Sequence, residues 1–189
     1  MIAIAESLLR EIRALQHKKT RLLIAVDGRC AAGKSTLAEL LQKTLSCGVI
    51  HMDHFFLRPC QRTDERLREP GGNVDRERFA GEVLAPLARG LDFSYRPYDC
   101  RRMDFGAPIA VPAHAICIVE GAYSCHPELR DRYDLRVFLS VEPEEQLERI
   151  RRRNGDARVA EFQQKWIPLE ERYFALCRVR EHCDLLYTT

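Results

Sequence analysis

No stretch of this chain approaches the roughly 20 consecutive apolar residues that a membrane-spanning helix needs. The apolar opening run, Met1–Ala5, stops at Glu6, far short of a secretory leader. These absences predict a cytoplasmic protein with no membrane partner. Eight cysteines are present (Cys30, Cys47, Cys60, Cys100, Cys117, Cys125, Cys177 and Cys183), yet no two form a Cys-x-x-Cys pair. The usual paired-thiol zinc and thioredoxin-type sites are thereby removed. A chain of 189 residues buries a sizeable core without disulfides. The cysteines therefore read as reduced thiols used for packing. A large charge of one sign is missing too. Thirty basic residues face twenty-eight acidic ones, for a net charge of +2, so no nucleic-acid partner is expected. Internal repeats and low-complexity segments are also absent.

What is present is a series of short apolar runs, each ending in polar or glycine residues. Leu22–Val26 runs into Asp27-Gly28, Val49–Met52 into Asp53, and Ala115–Val119 into Glu120-Gly121. Leu135–Val141 and the tail Asp184–Thr188 are two more. Such runs suit parallel strands buried on both faces. Helical spacing separates them: Ile4, Leu8, Ile12 and Leu15 at the start, then Ser35–Leu45, Asp75–Leu87 and Glu144–Ile150. Strands alternating with helices predict an α/β fold around a parallel sheet. The whole chain, 1–189, reads as one domain with an N-terminal helix over 1–20. Two segments read as irregular, Leu57–Val74 and Leu91–Pro112, and long loops of this kind are usually functional. They are assigned to the acceptor side of the site. In a parallel sheet the strand C-termini share one rim, where ligands bind. Gly28, Asp53 and Glu120 would meet there.

The strongest motif is Gly28-Arg29-Cys30-Ala31-Ala32-Gly33-Lys34-Ser35, which matches G-x-x-x-x-G-K-[ST], the Walker A loop. Glycines permit close backbone approach. Loop amides and the N-terminus of the following helix attract phosphate. Lys34 supplies a point charge to the β- and γ-phosphates, and Ser35, followed by Thr36, supplies a hydroxyl for Mg²⁺. The strand before and the helix after are the context this motif requires. Cys30 falls inside the loop, where oxidation would block nucleotide binding.

Glu120, at a strand end beside the loop, is placed to hold Mg²⁺ directly or through water. Asp53 is the candidate base for an attacking hydroxyl. Asp27 reads as a support for the loop, and His51 and His54 as non-metal residues. Arg149, Arg151, Arg152, Arg153 and Arg158 crowd one stretch broken by Asn154-Gly155. A basic lid over about 149–165 could close on the triphosphate. Arg149, Arg153 and Arg158 are its candidates, and Arg151 reads as a solvated helix-end cation.

In chain order, the phosphate loop, Met52-Asp53-His54-Phe55-Phe56, Asn73-Val74-Asp75, Tyr98-Asp99 and Val119-Glu120-Gly121 resemble the motif set of uridine kinases. The wider group includes phosphoribulokinase and pantothenate kinase. The resemblance runs from about Leu22 to the end. It implies a P-loop NTPase fold of the nucleoside-kinase type: three layers, a central parallel sheet, helices on both faces and a basic lid. It further implies ATP or GTP with Mg²⁺. By motif position Asp53 is the catalytic base, Asp75 binds ribose hydroxyls and Tyr98 lines the nucleoside pocket. The sequence departs where the family reads a pyrimidine with His, since counting from Tyr98 puts Met103 there. The segment after Asp75 is shorter than usual, and the lid pattern differs. Arg101 and Arg102 either contact an anionic or polar acceptor or are surface charge.

The expected partner is a small hydroxyl-bearing acceptor, foremost a nucleoside. Pantothenate, nicotinamide riboside and sugar-like alcohols are the alternatives. A non-catalytic nucleotide-binding module is the reading from another class. A guanine switch would carry Asn-Lys-x-Asp, and none is present. A homo-oligomer is compatible with the sequence.

Overall fold

Strand β1, Leu22–Gly28, lies at the centre of a five-stranded sheet. The computed structural model describes all residues, Met1–Thr189. Helix α1 covers Ile2–Gln16, α2 Lys34–Leu45, and β2 Gly48–His51. Short helix α3, Asp64–Arg68, starts at Thr63, whose hydroxyl accepts from Arg66 N at 3.1 Å. Next, α4 (Arg76–Phe79), a π-helical turn (Ala80–Leu84) and α5 (Ala85–Arg89) form one continuous rod. Strands β3 (Phe93–Tyr95), β4 (Tyr98–Asp99), β5 (Asp104–Phe105), β6 (Ile109–Val111) and β7 (Ile116–Glu120) follow. The chain closes with β8 (Leu135–Ser140), α6 (Pro143–Asn154), α7 (Asp156–Glu161), α8 (Ile167–Leu176) and β9 (Leu185–Thr188).

The main sheet has the order β2-β7-β1-β8-β9, every pair parallel. Alternation along β1 sends Ile24 and Val26 to one face, where Leu8, Ile12, Leu37 and Leu41 of α1 and α2 bury against them. Ala25 turns to the other face, in one cluster with Phe79, Tyr173 and Phe174. Both faces are thus covered, which explains why the strands read as unbroken apolar runs. Leu8 and Ile12 are fully buried, each stabilising by about 1.5–3 kcal/mol. The N-terminal helix is therefore part of the core.

Two expectations need correction. Leu57–Val74 contains helix α3, and Leu91–Pro112 holds two nested antiparallel ribbons, β3 with β6 and β4 with β5. Strands of two or three residues are too short for alternation to register.

Candidate functional site

Strand β1 delivers the loop to the sheet rim. Gly28 has φ 135°, and a Cβ there would lie 2.0 Å from Leu139 O on the adjacent strand. Only glycine fits so close to that backbone. The loop turns through Ala32 N donating to Arg29 O at 3.2 Å. Lys34 is buried, and its Nζ donates to Gly28 O at 2.7 Å and Arg29 O at 2.8 Å. The ammonium group spans the loop's own carbonyls. No acceptor within the chain meets the amides of Ala31 and Gly33. The first-turn amides of α2 are free by helix geometry. These donors and the helix end form an anion-binding concavity.

Not every loop residue faces that concavity. Gly28 N donates to Asp27 Oδ1 at 2.7 Å, Arg29 N to Leu139 O at 3.1 Å, and Cys30 N to Glu170 Oε2 at 2.8 Å. The Arg29 guanidinium turns away to Glu171 and Val141 O. A motif specifies the loop's curvature but not which neighbours claim its first amides. Burial, with Glu170 adding, pushes the Cys30 thiol up to about 12. A thiol held protonated at neutral pH is a poor nucleophile toward peroxide. This direction works against oxidation of the loop at Cys30.

Asp27 is fully buried. Besides Gly28 N it accepts from Tyr123 N at 3.2 Å, Cys125 N at 2.8 Å and Tyr173 Oη at 2.8 Å. Burial raises its pKa, and these donors oppose the rise. One carboxylate thus ties the loop's entrance to the segment that follows β7 and to α8.

Glu120 ends β7, in register with His51 of β2 and Val26 of β1. Its Oε1 accepts from Ser35 Oγ at 3.1 Å and lies 2.5 Å from His51 Nδ1. The hydrogen bond to Glu120 raises the His51 pKa. Gly121, φ 136°, lets Met52 pack at 2.8 Å from where its Cβ would be. The sequence did not single out His51 as Glu120's partner. The signal was present, because residues ending neighbouring parallel strands lie side by side.

Asp53 sits on a 3-10 turn, Met52–Phe55, directly after β2. Solvent reaches it, yet the surrounding walls raise its pKa by desolvation. Solvent access damps that effect. Lys34, His51 and Arg153 act against the rise, and Glu120 adds to it. Asp53 therefore lies in the combined field of the loop lysine, the strand-end carboxylate and one arginine of the basic segment.

That segment is two helices broken at Gly155, φ 83°, followed by a π-helical turn, Phe162–Trp166. Arg153 is exposed, bonded to Asn154 and set over the Phe162 ring. Arg149 and Arg158 both have partners within the chain. Arg149 reaches Ala31 O at 3.2 Å and Thr189 Oγ1 at 2.8 Å. Arg158 pairs with Glu161 on its own helix at 2.9 Å. Helical i,i+3 spacing makes that partner the nearest one. Arg151 pairs with Glu148 and Asp156 in the last turn of α6.

On the acceptor side, Asp75 caps α4 through Arg78 N at 3.1 Å and accepts from Gln61 Nε2 at 2.7 Å. It lines a cavity of about 390 Å³ with Gln61, Thr63 and Arg66. Tyr98 is buried, and its hydroxyl donates to Met103 Sδ at 3.7 Å. Its polar atom is therefore engaged by the residue standing where a base-reading His was sought. Arg101 and Arg102 are exposed, their amides held by Asp99 Oδ1.

No curated protein matches the chain. Among solved structures, a possible uridine kinase from Bacillus stearothermophilus superposes with a TM-score of 0.74 at 20% identity, covering 97% of this chain and 96% of that one. A candidate fructose transport system kinase from a Silicibacter species gives 0.64 at 24% identity, covering 89% and 90%. YFH7 of Saccharomyces cerevisiae, a candidate P-loop kinase with a circular permutation, gives 0.67 at 13%, covering 99% and 98%. At these identities the likeness shows the fold, that of P-loop kinases. No helix is long and apolar enough to cross a membrane. The family model described as AAA domain matches residues 24–165, the span that carries the loop, both rim carboxylates and the basic segment, and the chain belongs to that P-loop family.

Proposed function

We propose that this protein is a kinase that moves the γ-phosphoryl group of ATP, or GTP, to a hydroxyl of a small molecule, foremost a nucleoside. The observation that carries the reading is Asp53 at the rim, on the turn directly after β2, whose last residue His51 lies in register with Glu120. A binding module needs the loop alone. A transferase also needs a carboxylate beside the transferring group to take the acceptor's proton.

The chain's own groups divide the work. Lys34 leaves the loop carbonyls to meet β- and γ-phosphate oxygens. The amides of Ala31 and Gly33 and the first turn of α2 hold the remaining charge. Ser35 Oγ and Glu120 Oε1, already 3.1 Å apart, are a hydroxyl and a carboxylate, the hard oxygen donors that fit Mg²⁺. An ion held there would neutralise part of the phosphate charge. Asp53 orients the acceptor hydroxyl and takes its proton as oxygen attacks the γ-phosphorus. The bond to the bridging oxygen breaks and ADP leaves. Arg153, at the lid, offsets charge on the transferring group.

The acceptor is tested by ADP release across nucleosides, vitamins and sugars, with Lys34→Ala as the blank. Nucleosides are expected to stimulate most. A second acceptor class, pantothenate, nicotinamide riboside or a sugar-like alcohol, is favoured by one observation. Tyr98 spends its hydroxyl on Met103 instead of offering it to a base. Strong stimulation by one of these and by no nucleoside overturns the nucleoside assignment. Nucleotide binding with no acceptor stimulation at all identifies a non-catalytic module.

A further inference from the structure

The phosphate loop is gripped from outside by the two helices that flank the lid. From α6, Gln146 Nε2 donates to Cys30 O at 3.0 Å and Arg149 Nη1 to Ala31 O at 3.2 Å. From α8, Glu170 Oε2 accepts from Cys30 N at 2.8 Å, and Glu171 Oε1 accepts from Arg29 Nε at 2.6 Å. Arg29, Cys30 and Ala31 are three of the four positions the loop motif leaves open, and each of the three is held by at least one lid-flanking helix. Cys30 is held at both its amide and its carbonyl.

Glu170 is the anomalous member. It is 7% exposed and has no Arg, Lys or His within salt-bridge distance. A buried carboxylate without an ion-pair partner is costly. Beside an anion-binding loop it also repels the ligand. A packing role would be served by an apolar residue of similar volume. What an apolar residue cannot do is accept the Cys30 amide.

We infer that Glu170 is a positioning residue, which pins the Cys30 amide so that the remaining loop amides keep the curvature a triphosphate needs. It touches no reacting atom and acts through the loop. Gln146 fixes the carbonyl of the same residue, in the next peptide unit. The inference rests on the reading that the loop binds a nucleoside triphosphate.

The test is titration calorimetry of the intact chain with Mg²⁺ and a non-hydrolysable ATP analogue, beside melting curves and steady-state kinetics. Glu170→Ala is expected to weaken binding about tenfold, the scale of a lost charge-assisted hydrogen bond. Glu170→Gln keeps an acceptor oxygen at the same reach and should bind within about threefold of wild type. Glu170→Asp keeps the charge but falls a methylene short, and should stay weak. In kinetics, KM for ATP rises in Glu170→Ala while KM for the acceptor holds. Equal binding by wild type and Glu170→Ala overturns the inference. So does a Gln variant as weak as Ala, or a parallel rise in both KM values with a lowered melting temperature. Should Glu170→Ala not fold, the order of the Gln and Asp variants decides, since Asp binding better than Gln would make charge, not reach, the relevant property. Wild-type protein that binds no nucleotide fails differently: it overturns the triphosphate reading itself, and this inference with it.

Discussion

Asp27 offers the sharpest test of how the phosphate loop is supported. Its carboxylate is fully buried and accepts three backbone amides and one phenol, from Gly28, Tyr123, Cys125 and Tyr173. Asp27→Ala strands all four donors in a space no apolar side chain can satisfy. Each unpaired donor costs about 1–3 kcal/mol. Two effects reduce the total. The substitution removes the carboxylate's own desolvation cost, and water entering the vacated space recovers part of the bonding. A net loss of about 3–5 kcal/mol remains, the scale of a buried hydrogen-bond network broken at its centre. For a chain of this size that lowers the melting temperature by about 10 °C. Urea unfolding followed by circular dichroism measures the free energy, and calorimetry measures the midpoint. Nucleotide affinity should fall with stability, because Asp27 sets both the entrance of the loop and the segment after Glu120. An Asp27→Ala protein within about 1 kcal/mol of wild type would refute the claim that these four bonds support the loop.

Three further outcomes are expected. Asp53→Asn retains nucleotide binding by calorimetry and loses about 10²–10⁴-fold in acceptor-dependent ADP release; full turnover would remove Asp53 from the reaction. Peroxide at neutral pH leaves nucleotide affinity unchanged, because the Cys30 thiol is pushed up to about 12; a loss reversed by Cys30→Ser would contradict this. His126, 6% exposed, has its pKa lowered from 6.5 to about 4, chiefly by burial and then by Arg76. The unfolded chain binds this proton more readily, so stability is present above pH 6.5 and falls by up to about 3 kcal/mol towards pH 4. His126→Phe should flatten that part of the stability profile measured by urea titration.

Much of the architecture was legible because it depends on local patterns. The apolar runs could be matched to the central strands within one or two residues, since strands covered on both faces must be apolar throughout. The phosphate loop was legible as a pattern because its glycines answer to backbone geometry, as Gly28 against Leu139 O illustrates. The ribbons within Leu91–Pro112 were not legible, being too short to carry a period. The fates of the arginines were also hidden. Arg149 and Arg158 were sought at the triphosphate by composition, and which cation meets which partner is a matter of distance.

By itself, then, the order of residues determined the sheet, the helices over it and the position of the loop between strand and helix. Periodicity and backbone restriction act over a few residues and leave a trace in the chain. Tertiary structure alone decided what holds that loop in shape. Glu170 and Gln146 act on it across 140 and 116 positions of chain, and Asp27 at its entrance is met by Tyr173 from 146 positions away. His51 meets Glu120 from 69 positions away. Hydrogen bonds between buried groups require proximity in space, and no local pattern records which distant segments folding will bring together.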